Sequence, residues 1–373
     1  MPRSGRIVLL LCCLVSVRLG LAESDRTKQV DAIFESLKSR DLPGAAVLVM
    51  QNGHIVFERG YGVTDLRTRR PISGRTDFRL ASVTKQFTAM AIMLLVHDGK
   101  LQYETRLTDV FPDFPEYGRE ITIRQILNHT SGLKDYEDLM PKDKDYEAGR
   151  QELRQIQDAE VLELLKREKT TNSPPGKRWA YSNSGYVVLG IVVEKVSGKR
   201  FGQFLHDRIF GPLKMSGSIA YEKGKNEVPN RAYGHSKESD GWHETDQSPT
   251  SATLGDGGVY SSVEDLAKWD AALQNHTLLS AAEMEPALTT VKVPQGQVTE
   301  PEGTPAEYGF GWFLNPYRGH KRMWHYGETM GFRTAIQRFV YDRLTVIVLC
   351  NRSDLDPTLL ALKVADLYLV GAR

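Results

Sequence analysis

The sequence has few cysteines, no strong net charge and little that could cross a membrane. Only 3 of its 373 residues are cysteines. Cys12 and Cys13 lie close to the start, and Cys350 has no partner in the rest of the chain, which excludes a framework of disulfide bonds. The 48 basic residues balance the 47 acidic ones, and the formal net charge of +1 excludes the basic footprint of a nucleic-acid-binding protein.

Two common hydrolase signatures are also missing. The 9 histidines are scattered and none forms an H-E-x-x-H pattern, which argues against a metal hydrolase. The G-x-S-x-G turn of the α/β-hydrolases is absent as well. The sequence therefore predicts no metal and no cofactor.

The first residues have the pattern of a secretory signal peptide. Arg3 and Arg6 precede the apolar run Ile7–Val17, and small residues lead to a cleavage site expected after Ala22. The run is shorter than the roughly 20 residues of a membrane-spanning helix. We therefore expect a secreted protein without a stable membrane span, periplasmic if the cell is Gram-negative. Arg18 is atypical in such a segment and leaves an uncleaved anchor as the alternative.

Both ends of the remaining chain have the pattern of β-strands. The apolar segment Ala45–Met50, the turn signal Asn52-Gly53 and the segment His54–Arg59 predict a β-hairpin. Further strands are predicted over Tyr308–Leu314, Lys321–His325, Phe332–Tyr341 and Leu344–Cys350, followed by a helix over Pro357–Val370. Successive strands with short connections indicate an antiparallel sheet.

Helical patterns dominate the middle of the chain. Helices are predicted over Thr27–Ser39, Val83–Asp98, Ile123–Leu127, Gly185–Val196 and Phe201–Ile209, with a charged stretch over Asp143–Glu168. The segments Glu222–Asp256 and Lys292–Glu307 are predicted to be loops. We predict an α/β fold of the α+β type, with one mainly antiparallel sheet from both termini, flanked by helices. Residues 23–373 would form a single domain, with a sheet lobe over about 27–80 and 300–373 and a mostly helical lobe over about 81–299.

A serine and a lysine three residues apart stand at the start of an apolar helix. Ser82 and Lys85 would share one face of its first turn. There the positive end of the helix stabilises negative charge, and the lysine amine can take or relay the serine proton. Ser131 and Lys134 repeat the spacing, but Gly132 disfavours a helix and no apolar helix follows, so we regard them as a chance match.

Two further triplets contain candidate functional groups. Tyr181 and Asn183 belong to the only Tyr-x-Asn triplet of the chain, on a predicted loop. A phenol normally titrates near 10, so Tyr181 would need a nearby positive charge such as Lys85 to act as a base. His325 begins a His-Tyr-Gly triplet on a predicted strand, where a lone histidine is more often structural.

These motifs, in this order, resemble the serine β-lactamase and penicillin-binding protein superfamily. They are S-V-T-K at 82, Y-S-N at 181, H-Y-G at 325, L-N-H-T-S-G-L from Leu127, P-P-G-K-R-W-A-Y-S-N-S-G-Y from Pro174 and G-G-V-Y-S-S from Gly257. The order is similar to the branch of class C β-lactamases, D-alanyl-D-alanine carboxypeptidases and family VIII esterases. The resemblance covers about residues 31–370 and implies a β-lactamase/transpeptidase-like fold.

The resemblance also implies a role for each motif residue. Ser82 would be the acylated nucleophile, Lys85 its proton acceptor or electrostatic partner, and Tyr181 the general base and later the acid. Asn183 would orient the substrate. The backbone N–H groups of Ser82 and Glu328 would form an oxyanion hole, and the strand with His325 and Gly327 would contact the substrate in a cleft between the lobes.

The triplet at 325 departs from the pattern of efficient β-lactam hydrolysis. Members that hydrolyse β-lactams well usually carry Lys-Thr-Gly there, and their lysine meets the substrate carboxylate. A histidine is only partly charged near neutral pH. We therefore predict a serine hydrolase for small esters or D-amino-acid peptide and amide bonds. A true class C-like β-lactamase and a weakly catalytic penicillin-binding or partner-binding protein are the alternatives, and the motifs specify no oligomeric state.

Overall fold

The computed structural model describes residues 25–141, 153–300 and 303–369. The predicted signal peptide, residues 1–22, lies outside these ranges, as does the start of the charged stretch at 143–168. None of the described helices is long and apolar enough to cross a membrane.

Ten strands are described, and five of them form the main sheet. They are β1 (Ala45–Gln51), β2 (His54–Tyr61), β3 (Phe78–Arg79), β4 (Ile219–Ala220), β5 (His235–Glu238), β6 (Gly241–Glu244), β7 (Val259–Ser261), β8 (Arg322–Thr329), β9 (Phe332–Phe339) and β10 (Leu344–Cys350). The main sheet has the order β2-β1-β10-β9-β8, and all its neighbours are antiparallel. This confirms the prediction of one antiparallel sheet built from both ends of the chain.

In the sequence, most helices lie between strands β1 and β2 and strands β8 to β10 of the main sheet. They are α1 (residues 25–33), α2 (Lys85–His97), α3 (Leu107–Val110), α4 (Ile123–Leu127), α5 (Tyr136–Leu139), α6 (Asp158–Arg167), α7 (Asn183–Ser197), α8 (Phe201–Leu205), α9 (Val263–Gln274), α10 (Ala281–Leu288) and α11 (Pro357–Ala365). The helix predicted from Val83 begins as a 3₁₀ turn, Ala81–Thr84, and becomes α-helical at Lys85.

Two predicted segments differ from the structure. Tyr308–Leu314, predicted to be a strand, forms only isolated bridges, between Tyr308 and Phe313 and between Phe313 and Trp324. The segment Glu222–Asp256, predicted to be a loop, contains the hairpin of β5 and β6. That hairpin is short and has a single buried residue, His235, so its sequence has no apolar alternation to mark it.

Strand β1 is buried on both faces. Ala46 and Leu48 belong to a large apolar cluster that includes residues of α2 and α7. Ala45 and Val47 belong to a second cluster, with residues of α1 and α11. A strand covered on both faces shows a continuous apolar run rather than alternation, as this segment does. Cys350 is buried at the end of β10 as a free thiol, as predicted, and burial raises its pKa to about 12.

Candidate active site

Ser82 lies in a tight turn between β3 and α2. The residue before it, Ala81, has a φ of 48°, in the left-handed region that non-glycine residues rarely adopt. Such a conformation costs on the order of 1 kcal/mol, and similar strain is common at functional sites. Ser82 is partly exposed, whereas Lys85, one turn further on, is completely buried. The turn therefore presents the hydroxyl at the surface and holds the amine beneath it.

The Lys85 ammonium group is held by three oxygen atoms. Its Nζ lies 3.0 Å from Ser82 Oγ, 2.9 Å from Asn183 Oδ1 and 3.0 Å from the backbone oxygen of Asp256. Burial lowers the pKa of Lys85 to about 8, although the charges of Asp256, Asp135 and Glu137 oppose the effect. A considerable fraction of the amine is therefore neutral near physiological pH and able to accept the Ser82 proton.

The ring of Tyr181 lies beside the Lys85 amine. The Lys85 Nζ is 4.8 Å from the centre of the Tyr181 ring. The Tyr181 hydroxyl is enclosed and has no hydrogen-bond partner among the described residues. Burial raises the pKa of Tyr181 above its usual value, and the neighbouring Ser82 hydroxyl only partly offsets this rise. In the free protein Tyr181 is thus a neutral phenol close to Ser82.

Asn183 is the first residue of α7. The side chain of Ser182 caps this helix by accepting a hydrogen bond from the Gly185 N–H at 3.1 Å. The Asn183 N–H donates to Asp135 Oδ2 at 3.0 Å. Together these bonds fix the backbone at Asn183. The side-chain oxygen of Asn183 accepts from Lys85.

His325 belongs to a buried chain of hydrogen bonds behind Tyr181. The Ser182 N–H donates to His129 Nδ1 at 3.1 Å, so His129 Nε2 carries the proton and donates to the Tyr308 hydroxyl at 3.2 Å. The Tyr308 hydroxyl can then donate to His325 Nε2 at 3.2 Å, and His325 Nδ1 donates to the backbone oxygen of Tyr326 at 2.6 Å. A chain of hydrogen bonds donated in this order, from Ser182 to the backbone oxygen of Tyr326, requires both His129 and His325 to be neutral.

The electrostatics of the two histidines agree with that pattern. Burial and the Lys85 charge lower the pKa of His325 to about 3. The same two causes, together with His325, lower the pKa of His129 well below its usual value. His325 is fully buried, and both of its ring nitrogens are bonded within the protein. It therefore presents no positive charge to a substrate, and its substrate-binding role stays a prediction.

Strand β8 passes very close to the Ser82 turn at Gly327. A Cβ atom on Gly327 would lie 2.1 Å from the backbone oxygen of Leu80 and 2.4 Å from Thr334 Oγ1. The Thr334 hydroxyl itself donates to the Leu80 oxygen at 2.7 Å. Only glycine therefore permits this approach between the sheet and the Ser82 turn.

We expect Gly327→Ala to separate β8 from the Ser82 turn. The clash should lower stability by about 1–3 kcal/mol, and the displaced strand should reduce kcat by roughly 100-fold if it carries an oxyanion donor. Thermal unfolding and ester hydrolysis measure the two effects. Gly319→Ala is the control, because Gly319 has a φ of 81° but nothing within 4 Å of its Cβ position. The control should lose some stability through backbone strain and keep its kcat; equal kcat in both variants would contradict the prediction.

A small cavity of about 60 Å³ opens beside Ser82. Asn183 and Glu328 also line it. The Glu328 carboxylate pairs with Arg333 at 2.7 Å. The structure thus brings the predicted residues together around Ser82, apart from the buried His325. Their catalytic and binding roles stay predictions.

Several residues near the site were not identified from the sequence. Asp135 orients Asn183, Asp256 accepts from Lys85 through its backbone oxygen, and Glu137 lines the cavity. The link from His129 to His325 through Tyr308 was not expected either. The only sequence signals were the clusters D-Y-E from Asp135 and G-D-G-G around Asp256, which have no distinctive spacing.

Comparisons with known proteins identify the family. The profile of the Beta-lactamase family matches residues 30–369. Penicillin-binding protein 4* of Bacillus subtilis (strain 168) is 31% identical over 364 residues, which cover 94% of this chain and 77% of that protein. A D-aminopeptidase of Cereibacter sphaeroides is 27% identical over 309 residues, covering 83% of this chain and 57% of that protein.

A solved structure agrees with the sequence relatives. The octameric penicillin-binding protein homologue from Pyrococcus abyssi has a TM-score of 0.77 at 27% identity, and the match covers 91% of this chain and 76% of that one. The fold is therefore β-lactamase/transpeptidase-like, as the motifs implied. Since the family profile matches residues 30–369 and these relatives match over most of the chain, this chain belongs to the beta-lactamase family and is a serine hydrolase.

Proposed function

We propose that this chain is an exported hydrolase that forms an acyl-enzyme on Ser82 and cleaves D-amino-acid amide or peptide bonds, or small esters. The observation that carries the proposal is the position of Lys85, whose buried amine lies 3.0 Å from Ser82 Oγ and has a pKa lowered to about 8. Export rests on the sequence of residues 1–22, and N-terminal sequencing of the mature protein tests it.

The first half of the reaction acylates the serine. The Ser82 oxygen attacks the substrate carbonyl while its proton passes to the neutral amine of Lys85. The backbone N–H groups of Ser82 and Glu328 would hold the negative oxygen of the tetrahedral intermediate. The bond to the leaving amine or alcohol then breaks, and the proton held by Lys85 passes to the leaving group, either directly or through the Tyr181 hydroxyl, which gives up its own proton and takes the one from Lys85.

The second half releases the acyl group. A water molecule attacks the ester carbonyl on Ser82, and its proton returns to the serine through the same groups. Lys85 is neutral again once the acylation proton has left with the product, so it can act as the base for this water. Tyr181 and Asn183 keep the amine oriented toward the reacting atoms through both halves.

The neutral state of His325 favours amides and esters over anionic β-lactams. The resemblance places a lysine at this position in members that bind the carboxylate of a β-lactam. Here the side chain is buried and uncharged, so that contribution is missing. The D-aminopeptidase relative, of which this chain spans 57%, supports a D-amino-acid substrate.

A panel of four substrates tests the proposal. We expect purified mature protein to hydrolyse p-nitrophenyl butyrate and D-alanine p-nitroanilide much faster than a chromogenic cephalosporin or a D-alanyl-D-alanine peptide, because the last two carry a carboxylate that a neutral His325 does not attract. Fast cephalosporin turnover would instead support a true β-lactamase. No turnover of any substrate, with slow covalent labelling by penicillin, would support a penicillin-binding protein of low activity.

A further inference from the structure

The cavity beside Ser82 contains an unusual excess of acceptors. Asp256 is 6% exposed, and its Oδ2 accepts a hydrogen bond from the Tyr136 hydroxyl at 3.2 Å. Its Oδ1 is enclosed and has no hydrogen-bond partner in the part of the chain that the structure describes. A buried carboxylate oxygen without a donor is costly, because it has lost its hydrogen bonds to water. Asp256 is among the residues that line the cavity, so a ligand bound there could supply the donor.

A second carboxylate lines the same cavity. Glu137, near the start of α5, lies with its Oε1 3.5 Å from Asn183 Nδ2. Partial burial raises the pKa of Glu137, and the charges of Asp135 and Asp256 raise it further. These like charges would all be relieved by a bound cation.

The nearby cations compensate this excess only in part, through the charge of Lys85. Lys85 is held by Ser82, Asn183 and the backbone oxygen of Asp256. Arg79 also lines the cavity, but its side chain is 3% exposed and its Nη2 donates to the backbone oxygen of Ser251 at 2.8 Å.

Two nitrogen atoms of Arg79 could instead favour a negatively charged ligand. Its Nε and Nη1 have no hydrogen-bond partner within the described ranges, and they are enclosed. No ion pair is found between Arg79 and Asp256 among the described residues, so the carboxylate is not neutralised by direct contact. If Arg79 bound the ligand, the ligand would carry a carboxylate instead of an amine.

We propose that Asp256 and Glu137 form a subsite for the protonated amine of the substrate's acyl group. The inference rests on the proposed function, since it assigns the substrate class of the same site. An α-amine is separated by a single carbon from the carbonyl that Ser82 attacks, so both groups would occupy one small cavity. The volume of about 60 Å³ suits an ammonium group with a small side chain. The substrate would be an amino-acid amide, ester or peptide with a free amino end.

The test compares a free amine with its acetylated form. We define the amine preference as the ratio of kcat/KM for D-alanine p-nitroanilide to kcat/KM for N-acetyl-D-alanine p-nitroanilide. A charged hydrogen bond of this kind predicts a preference of roughly 10- to 100-fold for the free amine in the unaltered enzyme. Glu137→Gln should reduce that preference about 10-fold or more, mainly through KM. Asp138→Asn changes the neighbouring exposed carboxylate, which does not line the cavity, and should keep the preference.

The outcomes separate the subsite from the proposed function. If the unaltered enzyme had an amine preference near 1, or if Glu137→Gln kept the preference of the unaltered enzyme, the subsite would be overturned. Hydrolysis of p-nitrophenyl butyrate would still support the proposed hydrolase. A clear preference for acetylated D-alanyl-D-alanine peptides with a free carboxylate would overturn it in favour of Arg79. The absence of turnover of p-nitrophenyl butyrate and of any acyl mass on Ser82 would refute both proposals.

A competition experiment covers the case in which neither anilide is cleaved. D-alaninamide should then inhibit p-nitrophenyl butyrate hydrolysis at concentrations roughly 10-fold lower than N-acetyl-D-alaninamide. Equal inhibition by the two amides would overturn the subsite. Lowering the pH through the pKa of Glu137, which is raised, should neutralise its carboxylate. This should weaken the inhibition by D-alaninamide and leave the inhibition by N-acetyl-D-alaninamide unchanged.

Discussion

Ser82→Ala should reduce kcat for p-nitrophenyl butyrate on the order of 10⁶-fold, because the acyl-enzyme has no other place to form. Lys85, Asn183 and Tyr181 cannot replace the nucleophile, since they only position its oxygen or move its proton. Intact-mass spectrometry should show an added acyl group on the unaltered protein and none on the variant.

Ser131→Ala is the matched control, because Ser131 stands in the second S-x-x-K match of the chain. Ser131 is 1% exposed, and its Oγ accepts from the Leu133 N–H at 3.3 Å, so it faces a turn and not a substrate. The control should keep its acylation. If the Ser82 variant still gained an acyl mass at the rate of the unaltered protein, the assignment would be wrong and Ser131 would become the candidate.

The nucleophile motif was predictable because its geometry is local. Ser82 and Lys85 lie on one turn, and the apolar run after them indicates the helix that follows. The β-hairpin at 45–61 was predictable for the same reason, since Asn52 and Gly53 both adopt positive φ in its turn. Such features depend only on residues that are close in the sequence.

The state of His325 could not be predicted, because it depends on residues from three separate segments. Only in the folded chain does Tyr308 contact His325 and His129 contact Tyr308. These hydrogen bonds determine which ring nitrogen of His325 carries the proton. The sequence suggested a histidine charged in part near neutral pH, whereas burial makes it neutral. Asp256 was missed for the same reason, since its backbone oxygen accepts from Lys85 and its carboxylate accepts from Tyr136, and both residues are distant in the sequence.

The pH dependence of acylation should identify the base. If neutral Lys85 accepts the Ser82 proton, kcat/KM for the ester should rise with pH and level off above the Lys85 pKa of about 8. The sign follows from deprotonation, because the neutral amine becomes more abundant as the pH rises. Burial lowers the pKa of Lys85 and so moves this transition to near pH 8. Tyr181, whose pKa is raised by burial, should stay protonated over the same range.

Two variants distinguish the roles of these groups. Lys85→Met keeps the length and apolar packing of the side chain, and should lower kcat/KM by roughly 10⁴-fold and abolish the inflection near pH 8. Tyr181→Phe should lower kcat/KM by roughly 100-fold and keep the inflection, because the amine remains. If Tyr181→Phe removed the inflection and Lys85→Met retained it, the phenolate would be the base and Lys85 only its positive partner. That outcome would restore the assignment that the family resemblance implies, and would require substrate binding to lower the pKa of the enclosed phenol.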